Sequence, residues 1–349
     1  MPQRLSLLHR PTPLEPLPRL GEALGLDLWV KRDDATGGAE AGNKIRKLEL
    51  LLADALEQGA DTVITCGGLQ SNHARATALL AARLDLRCLL MLRDSTLDDD
   101  GQGAGLPLEG TSTGNAFLGK LAGAEIRRVT RDSYARRDEV LAGWADELRS
   151  QRRRPYVIGE GGSSGLGALG YVEAMGEVHQ ALDAMGAAPF DLVVHACGSG
   201  GTSAGLVLGA GQHGVAREVV AFAVCDDAPT FEAKIAAIVA EARPLAPAWL
   251  AHPLAPPVPL TVDDSAKGPA YGVPTEAQLR DMVRATRLTG LVFDPVYTGK
   301  AIHGLMRRAG GWAGMRVLFL HTGGLPGLLA DPAVFDCATA TSPARRSTP

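Results

Sequence analysis

The chain is poor in aromatic residues, at 5% of 349 positions, and has five cysteines: Cys66, Cys88, Cys197, Cys225 and Cys337. They are scattered, odd in number and form no CxxC pair, which argues against a disulfide framework and a structural zinc site. Cys66, Cys88 and Cys225 lie in apolar strand-like runs and are expected to be buried as small hydrophobes. No HExxH or similar spacing gathers metal ligands, so no metal is expected. No apolar run approaches the roughly 18 residues of a membrane span. The opening "MPQRLSLLHRPTP" has no secretory core, and a reducing cytoplasm is the expected setting. Net charge is −4, with no long basic run, which argues against nucleic acid as a partner. The short cluster "RSQRRRP", 149–155, reads as a solvated helix end, where cations suit the dipole. Lysine is scarce beside arginine: Lys31, Lys44, Lys47, Lys120, Lys234, Lys267 and Lys300 are the whole set.

What is abundant is glycine, 42 residues, and a hydrophobic fraction of 46%. Strand-like and helix-like stretches alternate, which predicts an α/β fold with parallel sheets flanked by helices. "LDLWVKR", "DTVITC", "RCLLMLR", "EIRRVT", "PYVIGE", "DLVVHACG", "EVVAFAV" and "RVLFLHTGG" read as strands. Helices are predicted at "NKIRKLELLLADALEQG", "SNHARATALLAARL", "GNAFLGKLAG", "YARRDEVLAGWADELRS", "LGALGYVEAMGEVHQAL", around Phe231–Ala242 and at "TEAQLRDMVRATRLTG". The segment 94–113 and "DPVYTGK", 294–300, read as loops. The polar, proline-containing tail, 339–349, is expected to be disordered.

The glycine-rich loops follow strands, where α/β folds bind ligands. In "CGSGGTSAG", glycines precede a small-residue helix, and Thr202 and Ser203 supply hydroxyls. This segment either cradles a phosphate at a helix N-terminus or makes a tight turn. In "GGLQSNH", Ser71 is a good N-cap, and Ser71 with Asn72 could alternatively hold a carboxylate. His195 lies in a strand and reads as a satisfied core residue. Lys44 stands at a predicted helix N-terminus, where the dipole disfavours a cation. It is either a solvated residue or an amine kept neutral for carbonyl chemistry, which arginine cannot perform.

In order, "PTPLEPLPRL", "WVKRDD", "GNKIRKLE", "QSNH", "GSGGT", "YGVP", "DPVYTGK" and "HTGG" resemble the 1-aminocyclopropane-1-carboxylate deaminase / D-cysteine desulfhydrase family, from about Pro11 to Pro326. The resemblance implies a pyridoxal-phosphate enzyme of the tryptophan-synthase-β type (fold type II), with two open twisted parallel-sheet domains. A smaller domain, 50–158, would be inserted in a larger one, 1–49 plus 159–338. Lys44 matches the Schiff-base lysine, and Asn43 the residue bonding the cofactor's phenolic oxygen. Ser199, Gly200, Gly201 and Thr202 match the phosphate loop. Ser71, Asn72 and His73 match the substrate-carboxylate segment, Ser71 also a nucleophile proposed in the deaminases. Tyr271 and Tyr297 match active-site tyrosines. A homodimer acting on a small amino acid is implied.

Ring-opening members resemble "DPVYEGK" and "HLGG" where this chain has Thr298 and Thr322. A carboxylate facing the pyridine nitrogen keeps it protonated, whereas a threonine offers a neutral hydrogen bond. The pair therefore favours β-elimination over ring opening, with D-cysteine as the expected substrate. L-cysteate sulfo-lyase and 1-aminocyclopropane-1-carboxylate deaminase are the alternatives within the fold, and a non-catalytic ligand-binding scaffold the alternative outside it.

Overall fold

The computed structural model describes residues 4–97, 106–107 and 112–330. The tail, Cys337 and most of the segment 94–113 lie outside them. The chain runs β1 (Leu14–Pro16), α1 (Pro18–Leu24), β2 (Asp27–Arg32), α2 (Lys44–Glu57), β3 (Thr62–Gly68), α3 (Asn72–Arg83), β4 (Arg87–Arg93) and β5 (Leu106–Pro107). There follow α4 (Gly114–Leu121), β6 (Glu125–Val129), α5 (Arg131–Ala135), α6 (Arg137–Ser150), β7 (Pro155–Val157), α7 (Gly165–Met185), β8 (Phe190–Cys197) and α8 (Gly201–His213). Last come β9 (Ala216–Ala223), α9 (Ala228–Leu250), β10 (Leu260–Asp263), α10 (Glu276–Thr289), α11 (Thr298–Arg308), β11 (Arg316–His321) and α12 (Leu325–Leu329).

Two sheets form. One has the order β1-β2-β11-β8-β9-β10, the other β5-β6-β4-β3-β7. Pairing is parallel except at the edges, where β1 meets β2 and β5 meets β6 antiparallel. The middle strands are near-continuous buried runs, as sheets covered on both faces require. This is the expected α/β architecture of two parallel-sheet domains. The last strand, β11, sits inside its sheet between β2 and β8.

Helix α7 sets the spacing around which the rest is arranged. A Cβ on Gly170 would lie 2.1 Å from the Arg46 carbonyl of α2, and one on Gly205 of α8 would lie 2.2 Å from the Ala168 carbonyl. Both neighbours therefore approach α7 backbone to backbone, which only glycine allows. A buried charge cluster locks the α2–α7 crossing. Arg46 Nε meets Asp33 Oδ2 at 2.8 Å, Arg46 Nη1 meets Glu177 Oε1 at 2.7 Å, and Lys31 Nζ meets Glu177 Oε2 at 2.7 Å. Tyr171 donates to Asp33 Oδ2 at 2.6 Å.

Several expectations need correction. The helix predicted around Phe231–Ala242 continues to Leu250 through Pro244 and Pro247. Each proline forfeits a backbone bond, but Ala242, Ala246 and Trp249 pack on the core and hold the turns together. "DPVYTGK" is not all loop. Asp294 accepts from the N–H groups of Val296, Tyr297 and Thr298 and starts α11 four residues downstream. The helix expected at 134–150 is two helices, parted at Arg136. Cys225 is half-buried, because its thiol sits at a strand end against the Gly198 carbonyl, 3.8 Å away. Cys66 and Cys88 are buried as expected, and burial pushes both thiols up to about 12.

Asp33→Ala would leave the buried Arg46 short of a counter-charge. It is expected to cost about 3–5 kcal/mol of stability, read as a fall in the urea midpoint with an unchanged slope.

Candidate active site

Chain segments far apart in sequence meet at the carboxyl ends of the strands of the six-stranded sheet. Asn43, just before α2, donates from its side chain to Thr202 Oγ1 at 3.1 Å and from its backbone to the Thr322 carbonyl at 3.2 Å. These bonds tie the start of α2 to the start of α8 and to the loop after β11. The resulting cleft is narrow and is lined by Asn43, Lys44, Asn72, residues 196–200, Thr202, Ser203, Tyr297 and Thr322.

Lys44 is the first residue of α2. Burial lowers its ammonium to about 8, although Cys197 and Glu160 pull the other way. One helical turn on, Lys47 is buried and donates to the Gly161 carbonyl at 3.2 Å and to Ser163 Oγ at 3.3 Å. Burial, reinforced by the charge of Lys44, holds Lys47 well below its ordinary value. The family resemblance gives Lys47 no role. The available signal was its i,i+3 spacing from Lys44, which puts both on one helix face.

The glycine loop opens α8 with no capping side chain, and Gly200 adopts φ 88°. The N–H of Gly201 reaches Ser163 Oγ at 3.1 Å, and Ser163 and Ser199 hydroxyls meet at 2.8 Å. The helix start, the hydroxyls of Ser199 and Thr202, and a lysine behind them form a receptor for an anion, while Ser203 donates to Cys197 Sγ at 3.3 Å. An amine in the same cleft completes a site for a ligand with an anionic end and a carbonyl end.

A family model described as pyridoxal-phosphate dependent enzyme matches residues 5–323. The chain belongs to the pyridoxal-phosphate dependent enzyme family. The D-cysteine desulfhydrase of Klebsiella pneumoniae (strain 342) is 41% identical over 334 residues, covering 94% of this chain and 95% of that protein. The mitochondrial bifunctional D-cysteine desulfhydrase/1-aminocyclopropane-1-carboxylate deaminase of Arabidopsis thaliana is 38% identical over 330 residues, 93% of this chain and 78% of its own length. The crystal structure of an ACC deaminase homologue superposes with a TM-score of 0.80 at 36% identity, covering 97% of this chain and 95% of that one. The residues present fit the family's cofactor: the α8 start and Lys47 suit its phosphate, and Lys44 suits its aldehyde.

The remaining expected residues divide. Ser71 is buried and accepts from the Ala74 N–H at 3.2 Å, so it caps α3. Asn72 lines the cleft. His73 does not line it. Thr65 donates to the Ile158 carbonyl at 2.7 Å, so His73 Nε2 must donate to Thr65 Oγ1 at 2.8 Å. His73 Nε2 thus carries a proton, and burial, with Lys44 and Lys47, disfavours a second one on Nδ1, which has no partner among the described residues. His195 is buried with Nδ1 on the Ala196 carbonyl at 2.9 Å, but its Nε2 has no partner among the described residues. It is a core residue only half satisfied.

Tyr297 lines the cleft, and Tyr271 stands behind it with the two hydroxyls 2.7 Å apart. Burial pushes the Tyr271 phenol up to about 12 and holds Tyr297 well above its ordinary value. Thr322 lines the cleft as expected; Thr298 does not. The Thr298 hydroxyl donates to Asp294 Oδ1 at 2.7 Å and accepts from the Asp294 N–H at 2.8 Å. Its one proton is committed to Asp294 at the start of α11 and is not offered to the cleft.

Because the folded value of Lys44 lies below its unfolded value of 10.5, the unfolded chain binds more protons between pH 8 and 10.5, and the buried charge opposes folding below that window. Lys44→Met in the cofactor-free protein is therefore expected to raise stability at pH 7. The gain should shrink as pH rises from 8 and vanish above 10.5, as followed by urea unfolding at each pH.

Proposed function

We propose that this pyridoxal-phosphate lyase eliminates a β-sulfur group from a small amino acid, with D-cysteine as substrate. Water is consumed, and pyruvate, ammonia and sulfide are the products. The observation that carries the reading is the make-up of the cleft: an amine able to be neutral, the Tyr297 hydroxyl with Tyr271 bonded behind it, and no carboxylate among the described lining residues. The names of the relatives, D-cysteine desulfhydrases among them, point the same way.

The chemistry that bound pyridoxal phosphate supplies is uptake of the electron pair left when Cα loses its proton. The protein's own residues do the rest. The start of α8, with Ser199, Thr202 and Lys47, would hold the phosphate, and Asn43 would orient the ring. Asn72 and the free N–H groups at the start of α3 would take the substrate carboxylate, since Ser71 satisfies only Ala74. Lys44 Nζ, neutral in a useful fraction near pH 8, removes the Cα proton. The Tyr297 hydroxyl stands at the cleft wall to hand a proton to the leaving sulfur, and Tyr271 stands behind it as the source of a replacement.

Thr322, the only former candidate for a partner to the pyridine nitrogen that reaches the cleft, offers a hydroxyl rather than a charge. A weaker electron sink suffices to expel thiolate, a good leaving group, and suits ring opening less. The division into a small domain, 50–158, and a larger one, 1–49 plus 159–338, belongs to the same reading, because it puts the amine and the phosphate loop on one unit.

D-cysteine should yield sulfide and pyruvate in equal amounts. Lys44→Ala should lower turnover by about 10³-fold or more, and borohydride reduction should fix the cofactor on Lys44 alone. Turnover of 1-aminocyclopropane-1-carboxylate to 2-oxobutyrate without sulfide release from D-cysteine would replace this reading by ring opening. Sulfite from L-cysteate would make the enzyme a sulfo-lyase.

A further inference from the structure

The segment carrying Tyr271, between β10 and α10, belongs to the six-stranded side. Its backbone is pinned by the buried Lys300, whose Nζ donates to the carbonyls of Ala270 at 2.9 Å, Lys267 at 2.5 Å and Val224 at 3.0 Å. That pin fixes the loop but not the ring. The ring is held from the other sheet. A Cβ on Gly68, at the end of β3, would lie 3.3 Å from Tyr271 Cε1, so the phenol packs closely on the backbone there and a methyl group would crowd it. Arg93, the last residue of β4, pairs in register with Gly68. Its guanidinium carbon lies 5.4 Å from the centre of the Tyr271 ring and 5.5 Å from that of Tyr134. Tyr134 is fixed in turn by its bond to Glu160 Oε1 at 2.6 Å. Among the described residues no carboxylate pairs with Arg93, whose contacts are the two aromatic faces.

We propose that Arg93 is a positioning residue for the phenol pair: its cation, stacked on Tyr271 across the gap between the sheets, aims that hydroxyl at Tyr297 and eases loss of its proton. Two physical effects act together. A cation over a ring face fixes the ring's orientation, and a positive charge nearby favours the ionised phenol over the neutral one. The other titratable or charged groups around the pair are Glu160, Asp294 and Cys225, which oppose ionisation, and Lys300, which holds the loop backbone. Arg93 is the cation stacked on the ring itself. The role in turnover rests on the proposed elimination; the effect on the phenol does not.

The test uses holoenzyme carrying Arg93→Leu, Arg93→Lys, Tyr271→Phe and the Arg93→Leu/Tyr271→Phe double variant. Sulfide release from D-cysteine is measured across pH, and phenolate formation is followed by near-ultraviolet difference absorbance without substrate. Arg93→Leu is expected to lower kcat about tenfold, with KM changed less than about twofold. It should also move the first phenolate transition and the alkaline limb of activity to higher pH. Arg93→Lys should restore most of both. In the Tyr271→Phe background, Arg93→Leu should cost nothing further, because residues acting through one group are not additive. Gly68→Ala, which displaces the ring without touching Arg93, should mimic Arg93→Leu and serves if that variant does not fold. An unmoved phenolate transition, or an equal loss with and without the Tyr271 hydroxyl, would overturn the proposal. If the unmodified protein releases no sulfide, the elimination reading fails, while the phenolate shift still decides the role of Arg93.

Discussion

The site depends on how closely α7 lets its two neighbours approach. At Gly170 and Gly205 there is room for a hydrogen and no more. One contact sets the height of α2, whose first residue is Lys44, and the other sets α8, whose first turn forms the anion receptor. A side chain at either glycine would push one half of the site away from the other. The Arg46–Asp33–Glu177–Lys31 cluster surrounds the same crossing. Buried charges of this kind stabilise little in net terms, but they penalise any other packing, because a shifted helix would leave a charge without its partner. Close approach and charge matching thus specify one arrangement of two helix starts.

That arrangement concentrates positive potential. Lys44 at the cleft, Lys47 one turn behind it and the N-termini of α2 and α8 come together, and burial makes both ammonium groups costly to keep charged. The neighbouring imidazoles add no charge: His73 and His195 are neutral, each with its tautomer set by a hydrogen bond. Such a site favours anions and neutral amines together. It is the combination needed by a ligand with a phosphate at one end and an aldehyde at the other. Tyr297 at the cleft wall, with Tyr271 bonded behind it, puts a phenol where acidic side chains are absent from the described lining.

Much of this was legible in the sequence. The alternation of apolar strands and amphipathic helices foretold the parallel sheets, and Ser71 announced the start of α3. The scarcity of lysine made Lys44 conspicuous. What escaped notice depends on distant partners. Lys47 resembles any helical lysine until Ser163 and Gly161 fold over it. Helix α11 starts at Tyr297, a poor capping residue, because Asp294 caps it from outside the usual position. Thr298 looked like a ligand contact because its motif sits at the site, yet its hydroxyl turns inward to that same aspartate. Arg93 ends a plain strand, and nothing local reveals that an aromatic ring from 178 positions further along the chain will lie on it (Arg93 to Tyr271).

The placement of β11 between β2 and β8 bears on how the enzyme is made in the cell. A ribosome delivers β2 early and β8 later, and the strand that joins them emerges after both. Until then the large sheet has a gap at its centre, and Thr322 has not arrived to accept from Asn43. A nascent chain that stops short of β11 therefore lacks one wall of the cleft, so the site is assembled last and all at once.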